Sequence, residues 1–209
     1  MTFSPMNDFT FRTTLIEIGR IAYQRGLLTA NDGNLSVRLP DGNLLITPSG
    51  LCKGRLEPED LLVITPEGEV VEAAPGRKPT SEQPMHLEVY RLRPDVNAVL
   101  HAHPPYAVAL TVAGFDLRDD FLPETRMTLG SIPTTDFALP SSPQNAAAIR
   151  TLLPHHDALM LRQHGSLTVG RTLEEALINL ERLEHTAHVQ YLAQTLGRIV
   201  PLPEDLIPD

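Results

Sequence analysis

The chain has 209 residues, 42% of them hydrophobic and 21% charged, and its 17 Lys and Arg against 26 Asp and Glu leave a formal charge of −9. This is globular rather than disordered composition, and the acidic balance excludes the phosphate neutralisation on which non-specific nucleic-acid binding depends. The single cysteine, Cys52, excludes an internal disulfide and any multi-cysteine zinc site.

The length suits one domain, residues 1–209, and a chain of this size removes roughly 70% of its unfolded surface from water without disulfide staples. No apolar run approaches membrane-spanning length. The start of the chain lacks the basic and apolar segments of a signal peptide, so a reducing cytoplasm is the expected location.

Residues 9–25 are predicted to form an amphipathic helix, capped by Asp8 and stopped by Gly26, with Leu15, Ile18, Ile21 and Ala22 on one face. Strands are predicted at 34–39 and 43–48 around the turn Pro40-Asp41-Gly42. A second pair, 60–65 and 69–74, surrounds Pro66-Glu67-Gly68. A helix over 82–92 opens after the candidate caps Thr80 and Ser81 and closes before Pro94. Residues 96–103 read as a buried strand, 104–114 as a short helix, 127–133 as a strand and 143–153 as a helix. A strand pair follows over 158–171. The last helix begins at a capping box, Thr172 and Glu175, and runs to Gly197; the segment 201–209 reads as a loose tail. Hairpins followed by alternating helices and strands predict one mixed sheet with helices on its faces.

His101 and His103 stand two apart at the end of the 96–103 strand, so their side chains point the same way, about 7 Å apart at Cα. His164 also closes a strand. Three imidazoles with an open position suit catalytic zinc. Glu82, in the first turn of its helix, is the candidate acidic partner, or else a surface carboxylate matched to the helix dipole. His86 shares its helical face, as a fourth ligand or as a packed neighbour. His155 and His156 read as loop residues, and His185 and His188 as exposed positions on the last helix. Three polar loops offer hydroxyls and backbone amides for an anion: Asn31 to Asn34, Thr47 to Gly50, and Pro79 to Ser81. No Walker A lysine pattern, GxGxxG or G-x-S-x-G is present.

Four segments in this order, NDGNLSVR, ITPSG, KPTSE with MHLEVYRLRPDVNAVLHAHPPYA, and LMLRQHGSLTVG, resemble the class II aldolase/adducin family over about residues 10–195. The resemblance implies a three-layer α/β/α fold with a mixed, largely antiparallel central sheet, and a homo-oligomer, tetramer favoured, with active sites at subunit borders. It implies that His101, His103 and His164 bind Zn2+ (Mn2+, Co2+ or Fe2+ as substitutes). Gln163 stands where relatives usually have Asn. Glu82 would occupy the metal site at rest and serve as acid/base in turnover. Asn34, Ser49, Gly50, Thr80 and Ser81 would hold the phosphate of a small phosphorylated sugar. The implied reaction is aldol cleavage of a ketose phosphate through an enediolate. The same scaffold also carries methylthioribulose-phosphate dehydratases, sugar-phosphate epimerases, decarboxylases of phosphorylated keto acids, and adducin-like modules without catalysis. Fuculose-phosphate aldolases bring tyrosines to the site, but residues 115–130 and the chain after Tyr191 contain none. Glu124 stands in that region instead, as a possible second acid/base or a loop carboxylate.

Overall fold

The computed structural model describes residues 5–203, with the side chains of 5–8 outside the description. Seven short strands form one sheet in the order β4-β3-β2-β1-β5-β7-β6. They are β1 (Asn34–Arg38), β2 (Leu44–Ile46), β3 (Leu62–Ile64), β4 (Val70–Glu72), β5 (Ala98–Ala102), β6 (Ala158–Leu161) and β7 (Gly165–Gly170). All six pairings are antiparallel. The expected mixed character reduces, among the described residues, to one isolated parallel bridge, Thr134 with Met160.

Alternation sorts the strand side chains onto two faces. Leu35, Val37, Ala98, Leu100 and Ala102 pack under α1 (Pro5–Gln24) and α6 (Leu173–Thr195). Leu44, Ile46, Leu62, Ile64, Val99 and Leu167 pack under α2 (Gln83–Leu92). Three layers result, as the resemblance implies. A third apolar cluster joins α3 (Pro105–Val112) to α6 through Ala107, Leu110, Leu183 and Ala187.

α1 begins at Pro5, so Asp8 falls inside the helix and is not its cap. Residues 127–133 are not a strand: Pro123, preset for a first helical turn, opens α4 (Pro123–Thr128), and Gly130 at φ 60° ends it. α5 is shorter than expected, Pro143–Ala148, and a 3-10 turn at Leu153–His155 follows. α6 starts at the expected cap, Thr172 Oγ1 accepting from the Glu175 amide, but the box is not closed: Glu175 accepts from the Arg171 amide rather than from that of Thr172. Of the expected tail, 204–209 lies outside the described residues.

Candidate metal centre and its polar cavity

The register of the central strands assembles the site. β1 pairs with β5 so that Asn34 stands opposite His101. Both lie on the α2 face, because their neighbours Leu35 and Leu100 take the α1 face. β7 pairs with the other edge of β5, and the Ser166 carbonyl accepts a 2.8 Å hydrogen bond from His101 Nδ1. That bond anchors the ring through Nδ1 and turns Nε2 of His101 inward.

His103 follows β5, and its Nε2 lies 3.0 Å from His101 Nε2. His164 ends the tight turn from β6 to β7, closed by its own amide donating to the Leu161 carbonyl. The three rings sit with centroids 4.6 to 5.0 Å apart. Gly165 makes this approach possible. A Cβ there would stand 2.3 Å from the Ala102 carbonyl and 2.8 Å from the His103 ring.

Glu82 is the N-cap residue of α2, yet its side chain makes no cap hydrogen bond. It turns inward, with Oε2 2.9 Å from His101 Nε2 and Oε1 3.6 Å from His164 Nε2. Two amides grip it: Asn34 Nδ2 donates to Oε2 at 3.0 Å and Asn145 Nδ2 to Oε1 at 3.1 Å. Burial opposes its charge, but the hydrogen bonds from His101 and Asn34 and the nearby imidazoles outweigh it and hold the carboxyl ionised, well below the usual range. Burial, with the His101 ring adjacent, lowers His103 and His164 to about 4. Both rings are therefore neutral, the form that ligates a cation.

His86 is not among the converging rings. It is fully buried, its Nε2 2.5 Å from Asn34 Oδ1 and its Nδ1 2.6 Å from Ser36 Oγ. Ser36 Oγ in turn lies 2.8 Å from the Tyr90 hydroxyl. Asn34 Oδ1 can only accept, so His86 Nε2 carries the proton and Nδ1 accepts from Ser36. Burial pushes His86 down to about 3. His86 thus orients Asn34, and Asn34 orients Glu82.

The loops meet beside this centre. The Thr80 amide donates to the Thr47 carbonyl and the Ser49 amide to the Lys78 carbonyl, which sets Ser49 and Gly50 against Thr80 and Ser81. Together with Asn34, Glu82, His103 and His164 they line one cavity of about 180 Å³, which Asn31 and Lys53 also reach. Glu124 does not join it within the chain. It is exposed on α4 and lines a different cleft with Glu181, Arg182 and His185. His155 is exposed, His156 contacts Ser131 and the Leu152 carbonyl, and His188 stacks on Tyr106.

Among the described residues, His101, His103 and His164 are the group able to hold a metal ion, their ligand atoms all within 4.8 Å of one another. The donor set fits a divalent cation. Two ligands of a tetrahedral zinc stand about 3.3 Å apart, close to the His101–His103 spacing. His164 Nδ1 is buried with no hydrogen-bond partner among the described residues. Asn145 and Lys53 were not legible in the sequence. Asn145 arrives from α5, some sixty residues away, and Lys53 carries no local signature beyond following the Pro-Ser-Gly turn.

A seven-stranded antiparallel sheet between helices, with three histidines and a carboxylate converging beside a polar cavity, defines the class. The model of the class II aldolase and adducin N-terminal domain matches residues 13–191, and the chain belongs to that family. It is 36% identical over 196 residues to a 3-oxo-tetronate 4-phosphate decarboxylase of Escherichia coli, covering 90% of this chain and 91% of the relative. It is 34% identical to an L-fuculose phosphate aldolase of Methanococcus maripaludis, covering 88% and 98%. The crystal structure of YgbL, a putative aldolase/epimerase/decarboxylase from Escherichia coli, superposes with a TM-score of 0.88 at 33% identity, covering 95% and 96%.

Proposed function

We propose that this chain is a zinc-dependent lyase that breaks a C–C bond beside a carbonyl in a small phosphorylated substrate, and that the substrate is a 3-oxo sugar acid 4-phosphate losing carbon dioxide. The observation that carries the proposal is Glu82, ionised and gripped by two amides, 2.9 Å from an imidazole of the three-histidine cluster.

In a 3-oxo-tetronate 4-phosphate, the bond from C1 to C2 breaks and its electron pair becomes the enediolate of dihydroxyacetone phosphate. A divalent cation held by His101, His103 and His164 supplies Lewis-acid stabilisation of that charge. Glu82 is placed to take the proton of the substrate hydroxyl and return it to C2, and solvent supplies the one proton consumed overall. Asn34, Ser49, Gly50, Thr80 and Ser81 hold the phosphate and so orient the breaking bond. Asn34 serves both groups, since its Oδ1 is tied to His86.

Retro-aldol cleavage of a ketose 1-phosphate is the second reading, favoured by the fuculose-phosphate aldolase relative. It releases the same enediolate but also requires a base for the departing hydroxyl. Carbon dioxide requires none. No tyrosine stands in 115–130 or after Tyr191 to serve the departing aldehyde, which supports decarboxylation over aldol cleavage.

The test is product analysis on protein purified without chelator. With 3-oxo-tetronate 4-phosphate, carbon dioxide and dihydroxyacetone phosphate should appear one to one. Turnover of ketose 1-phosphates alone would select the second reading, and water loss from methylthioribulose phosphate would overturn both. Glu82→Gln should fold and lose at least 100-fold in kcat. We propose a cytoplasmic homotetramer, supported by the exposed apolar side chains Met127, Phe137, Leu139, Ile178 and Leu192; light scattering giving a monomer would refute it.

A further inference from the structure

Lys53 lies in the short 3-10 turn Lys53–Arg55 and is only 3% exposed. Its turn is pressed against α1 at two glycines. A Cβ on Gly19 would stand 2.8 Å from the Lys53 carbonyl, and one on Gly54 would stand 2.5 Å from the Tyr23 ring. The backbone of Lys53 therefore has little freedom to shift.

The ammonium donates to the Asn31 carbonyl at 2.5 Å and to the Leu51 carbonyl at 2.8 Å. An ammonium has three donors, and among the described residues the third has no protein acceptor. Among the described residues no carboxylate makes an ion pair with Nζ; burial lowers its pKa, while Asp32 and Glu82 act on it from a distance. A buried cation without a contacting counter-ion is costly. This one borders the cavity of Asn34, Ser49, Gly50, Thr80 and Ser81, whose lining contains no other Lys or Arg.

We propose that Lys53 binds the phosphate of the substrate directly: its third N–H and its charge complete a cradle otherwise built from neutral amides and hydroxyls. The inference rests on the phosphate-bearing substrate proposed above. The two carbonyl bonds hold the ammonium at the wall of that cavity. A charge-assisted contact of this kind exceeds a neutral hydrogen bond in strength.

The test is calorimetric binding of dihydroxyacetone phosphate and of unphosphorylated dihydroxyacetone to the protein as purified without chelator. The wild type should bind the phosphate ester more tightly. Lys53→Met should weaken that binding by roughly 30-fold or more and leave dihydroxyacetone binding unchanged. If the wild type prefers the phosphate ester and Lys53→Met keeps the preference, the assignment of Lys53 falls while the proposed substrate class stands. If the wild type shows no preference, the substrate class itself falls, and Lys53 with it. Crystals of the wild type soaked in tungstate, a phosphate mimic, need no variant to fold: an anomalous peak in hydrogen-bond reach of Nζ supports the proposal, and a cradle peak beyond that reach overturns it.

Discussion

Gly165→Ala perturbs the centre through volume alone. Gly165 is not at positive φ, so alanine strains no backbone angle there. The added Cβ would stand 2.3 Å from the Ala102 carbonyl, 2.8 Å from His103 Cδ2 and 3.0 Å from His101 Cε1. The carbonyl contact is ~1 Å short of ordinary van der Waals distance, and it belongs to a buried central strand that cannot swing aside. β7 must move away from β5, at the upper end of the ~1–3 kcal/mol typical of overpacking. For a chain of this size that lowers Tm by roughly 6–12 °C. The same movement carries His164, the residue before Gly165, away from His101 and His103, so metal per chain should fall well below the wild-type value. Gly50→Ala is the control. Its φ of 75° strains alanine, but no atom lies within 4 Å of the new Cβ. It should cost about 1 kcal/mol and load metal fully. Urea unfolding and elemental analysis read both quantities. If Gly165→Ala unfolds at the wild-type midpoint with full metal, the close approach of β7 to the imidazoles is wrong.

Three further outcomes follow from local chemistry. His86, at about 3 in the fold, takes up its proton near 6.5 once unfolded, so the unfolded chain binds more protons between those values. Its contribution is whole above pH 6.5 and is lost as pH falls; by pH 5 the loss is about 2 kcal/mol, and urea titrations of His86→Leu should lack that part of the slope. Gln163 sits exposed at φ 54°, a region Asn tolerates better. Gln163→Asn should therefore raise stability by several tenths of a kcal/mol, read as a higher urea midpoint, and an unchanged or lower midpoint would contradict this. Glu184 accepts from the Tyr106 and Ala107 amides at the start of α3. Glu184→Ala leaves both amides without that acceptor and should cost about 1–2 kcal/mol by the same measurement.

The sequence carried most of the metal centre because its logic is local. His101 and His103 share a strand face by alternation, and the glycine after His164 marks the end of a strand. Glu82 was legible as a first-turn carboxylate, but its inward turn depends on Asn34 and Asn145, which reach it across the fold. Lys53 was hidden for the same reason: its burial comes from the approach of α1 through Gly19 and Gly54, and no spacing rule reports such an approach. The strand expected over 127–133 failed because its first two residues close a helix begun by Pro123, outside the segment, and the rest runs as irregular chain past Gly130. The polar loops were legible one at a time as turns; only the pairing of Thr47 with Thr80 across the sheet edge made them walls of one cavity.

The pairing of β5 with β1 and β7 has a consequence for how such molecules are to be judged. Sliding β5 by a single residue would send His101 to the opposite side of the sheet, into the space now filled by Leu35 and Leu100. A chain misthreaded in this way would keep much of its secondary structure while losing its chelating trio. Stoichiometric uptake of the ion therefore counts correctly threaded molecules, which circular dichroism does not.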